Sequence, residues 1–387
     1  MTEQQPTGPL AGLVVADFSR ILAGPYATML LADMGAEVIK VESPAGDDTR
    51  TWMPPVRGDV STYYLSINRN KKSVVLDLKD PDDLATAQRL AERADIVIEN
   101  FRPGLMERFG LDYESVSARN SGVIYASISG FGTGEGRSYP GYDLMVQAIS
   151  GLMSLTGSPD GQPYRAGISV FDVMTGMHAT IGILAALNVR NETGIGQHVE
   201  VNLLASALSG LVNQTGAFVT SGTVPTRMGN AHPSLFPYEP LPASDGDIII
   251  IAGNDGQFSR LCEALGVPEL AQDVRFATNA DRTANREELR PLLEARLAAR
   301  TKAEWFEVLL EAGVASGPIN SIAEGVEFAT KLGLEPVVEV GSGDAVVPSI
   351  RNPITFSASG LRYDLPPPTL GEHSDEIRAW IDAEDDA

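Results

Sequence analysis

The stretch LVVADFSRILAGPYATMLLADMGAEVIKVE, residues 13–42, is where the fold is decided. LVVADFS (13–19) is an apolar run of strand length, EVIKVE (37–42) is a second, and residues 24–36 between them carry a helical pattern. A strand, a helix and a strand at this spacing form a βαβ unit, whose two strands run parallel. The pattern recurs: SVVLDL (73–78) is a strand, 81–93 a helix opened by Pro81 and two acids, and IVIENF (96–101) the next strand. GVIYASISGFG (122–132) adds another strand that runs into a glycine-rich turn. This alternation predicts an α/β chain with a doubly wound, Rossmann-like parallel sheet.

Further along, helical patterns cover 143–155, 171–190 and 203–219, with QHVEVNL (197–203) a strand among them. Near residue 222 the composition changes, because SGTVPTRMGNAHPSLFPYEPLPASDGD (221–247) gathers Gly, Pro, Ser and Asn into one span. DIIIIAG (247–253) resumes strand character, and helices are expected over 255–266, 281–299 and 302–312. Residues 313–370, rich in Gly and Pro, read as a mainly extended return, and LGEHSDEIRAW (370–380) as a short closing helix. A chain of 387 residues exceeds one core of ordinary size. The expected organisation is a Rossmann-like large domain over 1–221, a linker and smaller α+β domain over 222–330, and a return over 331–387 that completes the large domain.

A composition of 43% hydrophobic and 21% charged residues excludes a disordered or collagen-like chain. Cys262 is the sole cysteine, so no internal disulfide forms and a reducing cytoplasm is the expected compartment. Its place between Leu261 and Leu265 reads as core. With 29 basic and 51 acidic side chains the formal charge is −22, which argues against nucleic acid or an anionic membrane as a partner. A phosphate-bearing ligand must then find a locally basic patch. MTEQQPTGPL shows neither part of an export signal, and the best apolar run, 179–187, is too short to span a bilayer.

Several chemistries lack their residues. A nicotinamide enzyme needs G-x-G-x-x-G after the first strand, where this chain has SRILAGPYA. No Walker loop, H-E-x-x-H or C-x-x-C occurs, and His178, His198, His232 and His373 have no ligand spacing, so no metal is expected. GISVF (167–171) offers Gly167 and Ser169 but not the closing glycine of a nucleophile elbow. Asp172 stands out, at the mouth of a helix otherwise free of charge up to Arg190. Two readings stay open: a helix cap worth about 1 kcal/mol, or a carboxylate nucleophile kept ionised by the helix N-terminus. Arg69, Lys71 and Lys72 form the densest basic cluster, either a phosphate contact or a solvated strand end.

Eight segments, in order, resemble the class III CoA transferases, the family of formyl-CoA transferase and carnitine CoA-transferase. They are DFSRILAGPYATMLLADMGAEVIKVE (17–42), NRNKKSVVLDLK (68–79), ADIVIENFRPG (94–104), GYDLMVQAISGLMSLTG (141–157), FDVMTGMHA (171–179), GNAHPSLFPY (229–238), GVASGPIN (313–320) and LGEHSDEI (370–377). The resemblance runs from about residue 9 to 377. It implies an interlocked homodimer in which each chain is an open ring threaded by the other. It implies Asp172 as the catalytic carboxylate, acylated by a CoA thioester and then converted to an aspartyl-CoA thioester. The substrates it implies are an acyl-CoA and a small carboxylic acid, with no permanently bound cofactor.

By the same resemblance Asn100, Phe101 and Arg108 line the nucleotide part of the CoA site, and Ile21, Leu22 and Ala23 run along the pantetheine. Arg69, Lys71 and Lys72 are the expected phosphate contacts. Leu22 and Ser43 replace a glutamine and an arginine of formyl-CoA transferase, so some contacts must differ. Gly229, Asn230 and His232 stand where that enzyme carries a run of four glycines, and become substrate-side candidates. Tyr142, also substrate-side, occupies the place of a histidine in the α-methylacyl-CoA racemases. A tyrosine is a poor base for removing an α-proton, which favours transferase over racemase. A catalytically inactive CoA-binding dimer would lack the nucleophile, and Asp172 is present.

Overall fold

The computed structural model describes residues 8–383 of the chain, so most of MTEQQPTGPL and the last four residues of the return segment 331–387 lie outside the described residues. Residues 8–152, 165–223 and 335–383 make one unit, and 153–164 with 224–334 make a second.

The first unit is built on strands Val14–Asp17 (β1), Glu37–Glu42 (β2), Lys71–Val75 (β3), Ile96–Glu99 (β4), Ile124–Ser129 (β5) and Gln197–Asn202 (β6). All pair in parallel, in the spatial order β3-β2-β1-β4-β5-β6. The order reverses between β1 and β4, and at such a switch point a crevice opens beyond the carboxyl ends of the strands. Helices Ala23–Asp33 (α1), Pro81–Arg93 (α2), Asp143–Ile149 (α3), Val170–Thr193 (α4) and Leu203–Gly210 (α5) belong to this unit.

Alternation along the strands feeds two cores. Val15, Ile98 and Ile124 point to one face and pack with Leu31 of α1 and Phe171 and Ile183 of α4. Ala16, Val97 and Tyr125 point to the other, with Leu90 of α2 and Ile377 of the closing helix Ser374–Ala383. Burial on both faces is why these strands read as continuous apolar runs. Gly176 lets α4 approach α1 closely, since a Cβ there would lie 2.6 Å from the carbonyl oxygen of Ala23. The 24-residue α4 is long and apolar enough to cross a membrane by length and composition. It exceeds the run 179–187 singled out in the sequence, and its inner face lies in the core.

In the second unit Tyr238–Ala243 (β7), Gly246–Ile251 (β8) and Ala315–Pro318 (β9) form an antiparallel sheet, with β8 central. Ile248 and Ile250 pack there against Phe258, Leu261 and Cys262 of helix Asp255–Ala264, Leu293 of Arg286–Leu297 and Trp305 of Lys302–Glu311. Cys262 is core, and burial pushes its thiol up to about 12.

Several sequence expectations need correction. Strand β7 lies inside the span 221–247 rich in Gly, Pro, Ser and Asn; its Pro240 and Pro242 are tolerated because β7 is an edge strand. The span 313–370 is not mainly extended: it contains helix Ile322–Lys331, opened by a capping box between Ser321 and Glu324. It also contains the hairpin of Val337–Val340 and Val347–Ile350. The helix expected over 281–299 breaks at Asn285, and the one over 143–155 breaks at Gly151, whose φ is 96°.

Candidate active site

At the switch point the chain leaves β1 through Phe18–Leu22 and enters α1. Ile21 holds a positive φ of 68°, and its N–H donates to the Asp47 carboxylate. Asn100, just past β4, grips this turn with both ends of its amide: Oδ1 accepts from Arg20 N at 2.9 Å, and Nδ2 donates to Arg20 O at 2.7 Å. The two loops are therefore held as one rigid edge. Leu22 caps α1 without a side-chain hydrogen bond, and Leu22 and Ala23 at this uncapped helix start line the cleft.

Ile21, Leu22, Ala23, Asn100 and Phe101 line a cavity of about 160 Å³ together with Tyr142 and Asp172. Seven of the residues singled out in the sequence thus converge. The far wall is made by Gly130 and Gly141, whose backbones touch; a Cβ on Gly130 would lie 2.4 Å from Gly141 Cα, so no side chain fits between the strand end and the 139–142 loop.

Asp172 is not the helix cap. Ser169 holds that place, without a side-chain bond to the helix N–H groups, and Asp172 lies inside the first turn of α4. Its carboxylate takes no hydrogen bond among the described residues, and burial first, then the nearby Asp143, push it up to about 7. A carboxylate without a hydrogen-bond partner that lines a cleft is a candidate for the reacting group.

The expected phosphate cluster falls elsewhere. Arg69 is 3% exposed and bound through the Nε–Nη2 edge of its guanidinium to both oxygens of Asp33, at 2.9 and 2.6 Å, while its Nη1 donates to Ser349. Lys71 is fully buried among Asp17, Pro25 O and Asn68; burial drives it down to about 8. Lys72 is held at 2.7 Å by both Glu37 and Glu376. The expectation that these three meet CoA phosphates is corrected: two are interior ion pairs, and the third already has two carboxylates.

Arg102, Arg108 and Arg137 make no ion pair among the described residues. Arg102 lines the cleft and a neighbouring cavity of about 390 Å³, which Arg137 also lines. Arg108 is exposed on the turn Met106–Phe109, outside both cavities. Arg102 and Arg137 were missed because single arginines in glycine-rich loops make no cluster in the sequence. In the second unit Gly229 and Asn230 are exposed, and His232 Nδ1 accepts from Ser234 N while its ring leans on Tyr238. Among the described residues no group of His, Cys, Asp and Glu could hold a metal ion.

The model of CoA-transferase family III matches residues 10–374. The chain is 44% identical to a succinate–glutarate CoA-transferase of Agrobacterium fabrum, covering 97% of this chain and 96% of that one. It is 41% identical to an acetyl-CoA:oxalate CoA-transferase of Acetobacter aceti, with 97% of each covered. Among solved structures, a CaiB/BaiF family protein from Brucella suis superposes with a TM-score of 0.86 at 44% identity, over 97% of this chain and all of that one.

Proposed function

The chain belongs to CoA-transferase family III, and on that premise we propose that it moves CoA from an acyl-CoA to a free dicarboxylic acid through covalent intermediates on Asp172. The observation that carries this reading is the unpaired Asp172 carboxylate at the floor of the cleft lined by Ile21, Leu22, Ala23, Asn100 and Phe101. Relatives named for succinate and glutarate, oxalate, and succinyl-CoA with mesaconate all concern dicarboxylates, and succinyl-CoA with glutarate is the pair we favour.

Asp172 attacks the thioester carbonyl, the C–S bond breaks, and CoA thiolate leaves a mixed anhydride. The thiolate then attacks the aspartyl carbonyl, releasing the donor acid and forming an aspartyl-CoA thioester. The acceptor carboxylate expels the thiolate from that thioester, and the thiolate attacks the acceptor's carbonyl in the new anhydride to free Asp172. Each step exchanges one anion for another, so no general base is required. What each tetrahedral oxyanion needs is N–H donors, which the uncapped start of α1 and the Gly130–Gly141 wall offer. Arg102, Arg108 and Arg137 replace the buried cluster as our phosphate contacts, and Tyr142 stays substrate-side. Gly229, Asn230 and His232 are retained for the acid.

We assign the remaining apolar surface to a second copy of the chain, in the interlocked arrangement. Met177, Ile181 and Val189 of α4, with Leu208, Val212, Phe218 and Val219 after it, are exposed. An apolar face of that extent calls for a partner. A buried, free Cys262 suits a reducing cytoplasm. The test of the catalytic reading is Asp172→Ala: acyl exchange disappears while CoA binding survives, and a folded variant with most of the wild-type turnover would refute it. Slow subunit exchange between tagged populations is expected of threaded rings; mixing within minutes would refute the threading.

A further inference from the structure

Asp143 is 6% exposed, charged by type, and matched with no cation. Its oxygens accept from Phe171 N at 2.8 Å, from Asp172 N at 3.3 Å and from Nε2 of Gln147. All three partners are donors, the surroundings of a carboxylate, since a carboxylic acid would need an acceptor for its own proton. Gln147 is itself fixed: its Nε2 also donates to Ile168 O, and its Oε1 accepts from Ala166 N.

The start of α4 has no cap of its own, because the Ser169 side chain takes none of the helix N–H groups and is engaged instead with Tyr63. Asp143, at the start of α3, supplies the missing acceptor to two of its N–H groups. A neutral asparagine could fill that role. The anion instead sets a second negative charge beside Asp172 on a helix start that could have held a neutral cap.

Resting on the function proposed above, we propose that Asp143 is a positioning residue: it caps the Asp172 helix from α3, and its charge drives Asp172 toward acylation. As a free anion Asp172 faces Asp143. Once the thioester carbonyl bonds to Asp172 Oδ, the charge leaves with the thiolate, and both the anhydride and the aspartyl thioester are neutral at Asp172. The repulsion exists only in the uncombined enzyme and is relieved in every covalent intermediate. The raised position of Asp172, near 7 with Asp143 second only to burial among its causes, agrees with this.

Other groups face Asp172 as well. Tyr63 of the helix Thr62–Ile67 feels its charge, Arg20, Arg102, Tyr139 and Tyr142 line the same cleft, and His178 lies further along α4 on Ser206 of α5. None of these takes the helix N–H groups, so the cap and the repulsion meet only in Asp143.

The test compares Asp143→Asn and Asp143→Ala, by the pH profile of kcat/KM and by the steady-state fraction of enzyme carrying a covalent Asp172 adduct. Asp143→Asn keeps an acceptor and the shape. Its acid limb should move down by about one pH unit and its adduct fraction fall about tenfold, with KM for the acyl-CoA within about twofold. Asp143→Ala should lose kcat further, because the helix start loosens. If Asp143→Ala does not fold, the isosteric variant decides alone. A folded Asp143→Asn with the wild-type acid limb and adduct fraction overturns the proposal, as does a fall in kcat with the limb unmoved. Asp172→Ala separates the two levels: if it turns over, the catalytic reading fails; if it is inactive while Asp143→Asn behaves as wild type, only the role of Asp143 fails.

Discussion

Replacing Arg69 by methionine is expected to weaken the fold and leave CoA recognition unchanged. The side chain is buried, and its two bonds to Asp33 are the short, parallel kind. Its removal strands the Asp33 carboxylate in the interior, a loss of ~3–5 kcal/mol. Asn70 and Asn352 still donate to Asp33, at 2.9 and 3.1 Å, which favours the lower end. With an unfolding entropy of about 2.1 cal/mol/K per residue, the chain carries about 0.8 kcal/mol/K, so the midpoint falls by about 4–6 °C. The assay pairs a thermal melt with the KM for an acyl-CoA, measured at two salt concentrations below the melt. An unchanged melt together with a raised, salt-sensitive KM would refute this reasoning and return Arg69 to the phosphates.

Glutamine at Arg102, Arg108 and Arg137 should do the reverse: KM for CoA thioesters rises, with a salt dependence weaker than in the wild type, and the melt stays within about 1 °C. Indifference of KM to all three changes would remove them from the site. In the proposed mechanism Asp172 attacks as an anion, so kcat/KM should fall as pH drops through about 7. Between 3.8 and about 7 the native state holds a proton at Asp172 that the unfolded chain has released, so this group's contribution to stability declines as pH rises across that window. Asp172→Asn should therefore melt above the wild type at about pH 8 and level with it near about pH 4. A variant less stable than the wild type at both values would contradict the raised position of Asp172.

The parallel strands were legible because burial on both faces leaves them as apolar runs: 13–19, 37–42, 96–101 and 122–132 each enclose a strand of the sheet. β3 is displaced toward Lys71 because its first residues are two lysines, whose charges are neutralised by carboxylates distant in sequence. The same fact hid the nature of the basic cluster. Charge density along a chain does not say which cations are already paired, and Arg69 and Lys71 find their acids 36 and 54 residues away. Asp172 was legible as an acid among neutral residues. Asp143 was not, since its meaning lies in N–H groups 28 and 29 residues further on. Helix Ile322–Lys331 was overlooked because the glycines and prolines around it outweighed its S-x-x-E start.

The most direct measurement follows oxygen. In the proposed mechanism, attack on the aspartyl thioester by an acceptor acid labelled with 18O in its carboxylate leaves one labelled oxygen between the two acyl groups. Release of the acceptor as its CoA ester leaves that oxygen on the enzyme. After turnover, digestion and mass spectrometry should find 18O in the peptide that contains Asp172 and in no other, growing with acceptor consumed. Rapid turnover with that peptide unlabelled, or label on a different carboxylate, would contradict covalent catalysis by Asp172.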